Sequence, residues 1–336
     1  METTGKILKN PIIAFFKLIR IENLIIVFLT QYLIRYCVID SLLYYQAPTF
    51  YQKLYLQLSH FTFFLLVMST VFIAAAGYII NDYFDVKTDK INRPDTIVID
   101  RVIKRRWAML WHIVFNVLGI LIGVYVAYKA GTTKLAIIHI ISVGLLWYYS
   151  TSFKKQLLVG NLIVSFLAAM TPLMVMLYDL PKVIEIYAVL LPEANLDFSV
   201  LYKYILAFSL FAFISSLIRE IIKDMEDVEG DKETGCETIP IKWGMRASKA
   251  IVIGLISNMI LLLSFVVYKL YTPKENLPTF YIIIGIIIPS LFLIYRIYRA
   301  QNAKDYRRAS LLIKLIMLIG VCFSLLIYYL ANYAAH

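Results

Sequence analysis

Two short acidic stretches hold the densest concentration of chemistry in the sequence, NDYFDVKTD ending at Asp89 and KDMEDVEGD ending at Asp231. In the first, Asp82, Asp85 and Asp89 stand at i, i+3 and i+7, the spacing of one helical face, with Asn81 beside them. In the second, Asp224, Asp227 and Asp231 repeat that spacing about 140 residues later. Carboxylates crowded on one short face repel one another, and their pKa values rise unless a cation compensates. A donor set of hard oxygens without Cys or His favours Mg²⁺ or Ca²⁺ over zinc. Mg²⁺ usually takes one or two carboxylates and completes its shell with water and substrate phosphate, so the pattern predicts a diphosphate site. The plainer reading is that acids simply solvate helix ends. Against it stands the recurrence of one spacing at the same end of two apolar segments. No G-x-x-x-x-G-K-[ST] loop and no Gly-rich strand-to-helix turn offers another phosphate cradle.

The elements that must position these acids are membrane helices. Of the 336 residues, 61% are hydrophobic and only 16% charged, against about 45–50% and about 25% in a soluble domain. The apolar residues gather into blocks near the roughly 20 residues that a bilayer-crossing helix needs. Nine spans are predicted, at 17–39, 59–81, 107–128, 134–151, 157–178, 201–222, 248–268, 280–299 and 310–332. The span 134–151 is the weakest, holding His139, Ser142 and Ser150, and makes eight the rival count. Each span is a helix because lipid offers no partner to backbone N–H and C=O groups, and the alternation of a membrane barrel is absent. No Gly/Ser-rich linker divides the chain, which reads as one membrane-embedded domain over 1–336.

The formal charge of +11 is topological and does not point to nucleic acid. With alternate loops assigned to opposite sides, the N-terminal side carries 25 of the 33 Lys and Arg. Lys53, Lys182 and Lys274 are among the remaining eight. Positive charge stays cytoplasmic, so the N-terminus and both acidic stretches are expected inside a cell membrane and the C-terminus outside. The same charge could meet anionic lipid. The start, with Lys6 and Lys9 and an apolar block leading into Arg20 and Glu22, does not read as a cleavable signal. Cys37, Cys236 and Cys322 show no metal or disulfide spacing, and His60, His112, His139 and His336 read as structural. Residues 40–58 and 179–200, the latter with Pro181 and Pro192, are expected as interfacial elements on the outer side.

NDYFDVKTD resembles the N-D-x-x-D-x-x-x-D motif of the UbiA superfamily of intramembrane prenyltransferases, and KDMEDVEGD resembles its second, D-x-x-D-x-E-G-D motif. Arg20 and Asn23 look like the family's R-x-x-N, and Tyr149, Ser150 and Lys154 with Gly160-Asn161 look like its Y-S-x-x-x-K…G-N stretch. The resemblance implies nine helices around a central cavity with both Asp motifs at its cytoplasmic rim. It implies Asn81, Asp85, Asp89, Asp227 and Asp231 as direct or water-mediated Mg²⁺ ligands, with Asp82 and Asp224 in support. Asn23 and Arg20 join the substrate-binding set on the same ground, and Lys154, Lys223, Arg93 and Arg219 would contact the diphosphate. One departure stands out: the family's N-R-P-x-R-P reads Asn92-Arg93-Pro94-Asp95-Thr96-Ile97 here, without the second Arg and Pro. Lys104, Arg105 and Arg106 are near enough to substitute, although three basic residues at a span's start commonly mark topology.

The implied chemistry is transfer of a prenyl group from a polyprenyl diphosphate to a lipophilic acceptor. Metal and basic side chains would stabilise the departing diphosphate, an apolar chamber would exclude water from the allylic cation, and aromatic faces could stabilise it. The wording of the two motifs looks most like the branch that prenylates geranylgeranylglyceryl phosphate, with an aromatic quinone precursor as the alternative acceptor. Outside enzymes, intramembrane acids also occur in cation- or proton-coupled transporters. Those acids usually sit at mid-span, and the sequence suggests no mid-span charged relay here.

Overall fold

The computed structural model describes residues 10–46, 56, 58–190, 197–271 and 276–334. Lys6, Lys9, Lys53, Pro192, Lys274 and His336 lie outside the described residues. Among the described residues, nine helices are long and apolar enough to cross a membrane, in the order the hydropathy predicted, and no strand occurs. The chain is a multi-pass membrane protein. The count of nine includes the weak fourth span, Thr133–Thr151.

The chain opens on α1 (Pro11–Leu18), whose N-terminus is capped by the Asn10 side chain. It turns at Arg20 and continues as α2 (Ile21–Leu33), which a π-helical turn and Ser41–Gln46 extend. Arg20 has φ +50, a left-handed conformation disfavoured for a residue with a Cβ. The first span therefore starts at Ile21, four residues later than the hydropathy suggested, and Arg20 stands at its mouth. α3 (His60–Asn92) runs unbroken past the predicted end at 81, so its last three turns carry the first acidic motif. α4 (Arg105–Lys129), α5 (Ala136–Thr151) and α6 (Val159–Leu190) follow. α6 absorbs both Pro172 and Pro181, so residues 179–190 are helical where an interfacial connection was expected. Membrane helices tolerate proline because neighbouring groups re-satisfy the freed backbone. Residues 40–46 are likewise helical.

α7 (Phe198–Glu226) does not carry the second acidic motif through on one face. It stops at Glu226, Asp227 adopts φ −99, ψ 10, and a separate short helix α8 (Val228–Glu233) begins. The predicted single face for Asp224, Asp227 and Asp231 is thus broken at its middle member. Beyond it lie α9 (Ile239–Lys242), α10 (Gly244–Leu270), α11 (Ile288–Arg299), which Leu277–Ile282 and a π turn precede, and α12 (Ala303–Tyr329).

The chain forms two compact units. The first comprises Met1–Leu29, Leu58–Ile163 and Asp227–Ile241. Its core gathers Leu18, Ile19, Leu24, Ile79, Val86, Val98 and Ile99. Gly119 and Gly123, four apart on α4, let its neighbours approach: a Cβ would lie 2.6 Å from Ile73 at the first and 2.5 Å from His139 at the second. Such small-residue contacts replace the hydrophobic drive that helices lack within lipid. His139 meets the Ser69 hydroxyl at 2.8 Å and His112 meets the Ala76 carbonyl at 3.0 Å, both inside the helix packing.

The second unit comprises Thr30–Gln57, Val164–Glu226 and Lys242–His336. It encloses an ion pair that the sequence reading passed over: Arg35 Nε lies 2.9 Å from Asp179 Oδ2, the side chains 1% and 0% exposed. A buried charge is tolerable only when paired and hydrogen-bonded, and here two spans supply one partner each.

Candidate active site

The first unit assembles acids from both motifs because α8 docks against the end of α3. Asn92, the last residue of α3, makes the joint. Its Nδ2 donates to the Asp227 carbonyl at 3.0 Å and its Oδ1 accepts from the Gly230 amide at 2.9 Å. The side chain thereby serves backbone groups at the break, where the helical ladder is interrupted. Gly230 is required by proximity: a Cβ there would sit 2.5 Å from Asn92 Nδ2. Thr88 adds a bond to Thr234 at 3.3 Å. Neither Asn92 nor Gly230 was singled out as functional from sequence, although both lie inside the motif wording.

Around this joint, carboxylates and cations alternate. Arg20 Nη2 donates to Asp82 Oδ1 at 2.8 Å and its guanidinium stacks 5.0 Å from the Tyr78 ring centroid. Asn81 Nδ2 donates to Asp85 Oδ2 at 2.7 Å, and the Lys154 ammonium pairs with the same carboxylate oxygen. Arg93, just beyond α3, reaches across to Asp227 and touches both carboxylate oxygens at 2.8 Å. Asp89 feels the charges of Asp85, Asp82, Lys154 and Arg93. Asp231, buried at 4% exposure, feels Lys154, Asp227, Asp85 and Arg93. The first motif and the last two acids of the second therefore share one electrostatic neighbourhood.

Lys154 arrives from the 3₁₀ turn Phe153–Lys155 between α5 and α6. The adjoining Lys155 carbonyl accepts from the Glu237 amide at 2.8 Å, tying this turn to the segment after α8. Gly160 permits the tight turn, since a Cβ would lie 3.0 Å from the Lys154 Cα. Burial alone would lower the Lys154 pKa, but Asp85, with Tyr149 and Asp231, holds it well above the ordinary lysine value. Burial pushes the Asp231 carboxyl up to about 6, with Asp227 and Asp85 adding to the rise and Lys154 and Arg93 opposing it.

The remaining predicted residues stand on α2 and α7. Asn23 is on the first turn of α2, its amide bonded to the Arg20 carbonyl at 2.8 Å. Arg219, Lys223 and Asp224 belong to the second unit, on the last two turns of α7. There Glu220, which the sequence reading did not mark, is 8% exposed and takes Arg219 at 3.1 Å and Lys223 at 3.0 Å on one oxygen. Of the residues offered as substitutes for the missing Arg-Pro, Arg105 is engaged by Asp100 at 2.8 Å and lies over the Tyr83 ring at 5.3 Å.

Among the described residues, no three carboxylates close on a common metal position, since cationic side chains are interleaved with them. The donor chemistry nevertheless fits a hard cation. Every candidate ligand is an oxygen, and the Asn81 Oδ1 is buried with no hydrogen-bond partner. An acceptor left bare in that way is costly unless something completes it, and a divalent cation is one group that would.

Residues 50–331 match the UbiA prenyltransferase family. The chain belongs to that family. Within it, the chain is 31% identical over 255 residues to a digeranylgeranylglyceryl phosphate synthase of Methanosphaera stadtmanae, covering 74% of this chain and 82% of that one. It is 34% identical over 190 residues to the synthase of that name from Methanothermobacter thermautotrophicus, 56% of this chain and 59% of the relative's length. The aligned part thus spans less than two thirds of that relative. Two solved structures share the UbiA fold. A UbiA homologue from Archaeoglobus fulgidus bound to DMAPP and Mg²⁺ superposes with TM-score 0.55 at 15% identity, covering 94% of this chain and 98% of its own. The structure described for digeranylgeranylglyceryl phosphate synthase in membranes superposes with TM-score 0.57 at 21% identity over the same shares.

Proposed function

We propose that this UbiA-family protein is a Mg²⁺-dependent intramembrane prenyltransferase, its whole length serving one activity, that moves a geranylgeranyl group from its diphosphate to geranylgeranylglyceryl phosphate. The observation that carries the reading is the meeting of Asp85, Asp89, Asp227 and Asp231 with Arg93 and Lys154 in one neighbourhood. That set offers oxygens to a cation and cations to a diphosphate. The curated relatives bear the synthase's name, and a structural neighbour was solved with a prenyl diphosphate and Mg²⁺.

Asn81, Asp85, Asp89, Asp227 and Asp231 would hold the metal, with Asp82 and Asp224 supporting it. Bound there, Mg²⁺ supplies neutralisation of the charge that builds on a departing diphosphate. The protein's own groups do the rest. Arg93 and Lys154, which each hold a carboxylate, exchange that partner for phosphate oxygens; Arg93 meets Asp227 through Nη2, and its guanidinium carries further donors for phosphate. Arg20, Asn23, Arg219 and Lys223 complete the proposed substrate contacts. Carbon C1 of the donor would then lose its bond to oxygen, releasing diphosphate, and the acceptor hydroxyl would form the ether bond and give up its proton to that diphosphate. Apolar helices around the site keep water from taking the acceptor's place.

The site would face the cytoplasm of a cell membrane, with 25 of 33 basic residues on that side and the C-terminus opposite. The test is incubation of the purified protein with labelled geranylgeranyl diphosphate, Mg²⁺ and a panel of acceptors. A digeranylgeranylglyceryl phosphate product is expected. A prenylated aromatic acid instead would move the assignment to the quinone-precursor branch. No product with any acceptor or donor length would remove the enzyme reading and leave the transporter.

A further inference from the structure

The basic residues that set topology do not all stand on convex loops. In the second unit, the start of α10, the end of α11 and the start of α12 surround an open pocket of about 800 Å³. Arg246, Lys249 and Arg299 line it, together with Ile253, Tyr298 and a single acid, Asp305. Asp305 is already committed. It accepts from the Gln301 amide at 3.1 Å while its own amide donates to the Asn302 side chain at 3.2 Å, closing a reciprocal cap at the start of α12. Lys249 donates to the Tyr298 carbonyl at 3.2 Å and the Ala300 carbonyl at 2.5 Å, which anchors its ammonium at the end of α11. That leaves one of its three N–H donors. Arg246 and Arg299 have no ion-pair or hydrogen-bond partner among the described residues.

We propose that this pocket binds the phosphate headgroup of an anionic membrane lipid. Two unpaired guanidiniums and a fixed ammonium, opposed by one acid engaged in capping, form a site for a multiply charged oxyanion, and guanidinium forks match phosphate oxygens two at a time. The apolar wall identifies the source of the phosphate. Ile253 lines the pocket, and on the two spans that flank it Leu261 of α10 and Phe292 and Tyr295 of α11 are exposed apolar side chains. A free anion would have no use for that surface, whereas a lipid's chains would lie on it. Tyr298, 71% exposed at the pocket rim, is of the type favoured at headgroup depth.

The proposal is independent of the catalytic reading, since none of the residues lining this pocket is assigned to the metal or the diphosphate. The test is native mass spectrometry of the full-length purified protein with phosphatidylglycerol or phosphatidylcholine titrated in. Wild-type protein is expected to retain phosphatidylglycerol at least tenfold more tightly than phosphatidylcholine. The R246Q/R299Q double variant is expected to lose that preference with its thermal midpoint unchanged. The single variants R246Q and R299Q, each altering an exposed side chain, provide the same readout should the double variant unfold. Equal preference in wild type and variants would overturn the proposal. So would inorganic phosphate displacing the lipid at equal concentration, which would make the pocket a site for a free anion.

Discussion

At the scale of single residues, the site's behaviour turns on which charges are paired and which are buried. Asp85 and Asp227 each hold a cation from a different segment, Lys154 and Arg93. Replacing either acid by Asn keeps the shape and removes the charge. Mg²⁺-dependent transfer is expected to fall on the order of 10²–10³-fold or more, the usual loss when one preorganised electrostatic contact is deleted. Initial rates of the purified D85N and D227N variants measure it, and full activity in either would count against the metal assignment. Asp231 gives a pH dependence whose sign follows from its environment. Burial holds its carboxyl at about 6, above the ordinary value, so below that pH the folded protein keeps a proton that a cation must displace. Mg²⁺ affinity is therefore expected to rise with pH up to about 6 and level off above 7. Calorimetric titrations at several pH values would show it, and D231N should reduce the dependence along with weakening the binding.

At the scale of elements, the joint between α3 and α8 is the part of the site that depends on backbone rather than charge. The Asn92 side chain occupies the space a Cβ on Gly230 would need. Gly230→Ala is thus expected to destabilise the fold by about 1–3 kcal/mol, the usual cost of an inserted methyl in a packed position. It should also raise the Mg²⁺ concentration needed for half-maximal activity. N92A, which makes room and loses both bonds, should show the second effect with a smaller loss of thermal midpoint. An unchanged Mg²⁺ requirement in both variants would mean the joint does not position the acids. The first motif was legible in the sequence because α3 continues as one helix, so spacing translated directly into a face. The second was not, since its spacing is the same while the backbone breaks at Asp227. Periodicity assumes a continuous helix, and neither Glu226 nor Asp227, where it is cut, is a proline or glycine that would announce it. The N-terminal side of the site was legible only in part. Arg20 was found by its motif, but its left-handed turn carries no glycine to give it away.

For the molecule as a whole, hydropathy alone recovered nine spans, because the demand for apolar length in lipid is strong and local. What it could not recover were polar pairings between segments far apart in sequence. Arg35 and Asp179 each look like an isolated charge beside an apolar block, yet they form a fully buried pair 144 residues apart. Arg35→Ala would strand Asp179, at an expected cost of about 3–5 kcal/mol, whereas replacing the pair together by Met and Leu should cost far less. Thermal midpoints of the two variants in one detergent distinguish these outcomes. A similar loss in both would mean that the aliphatic packing, not the charge balance, matters there.

The discontinuity after Glu226 has a consequence for how the chain tolerates change in length. One residue added between Asp82 and Asp89 would rotate everything beyond it by about 100° around α3 and turn one of the three acids off the face the other two share. The same insertion between Glu226 and Asp227 would fall where the helical thread is already cut, and Asn92 would still hold α8 by its own two bonds. Two stretches that look like copies on paper therefore differ in mechanical character, one a ruler and the other a latch.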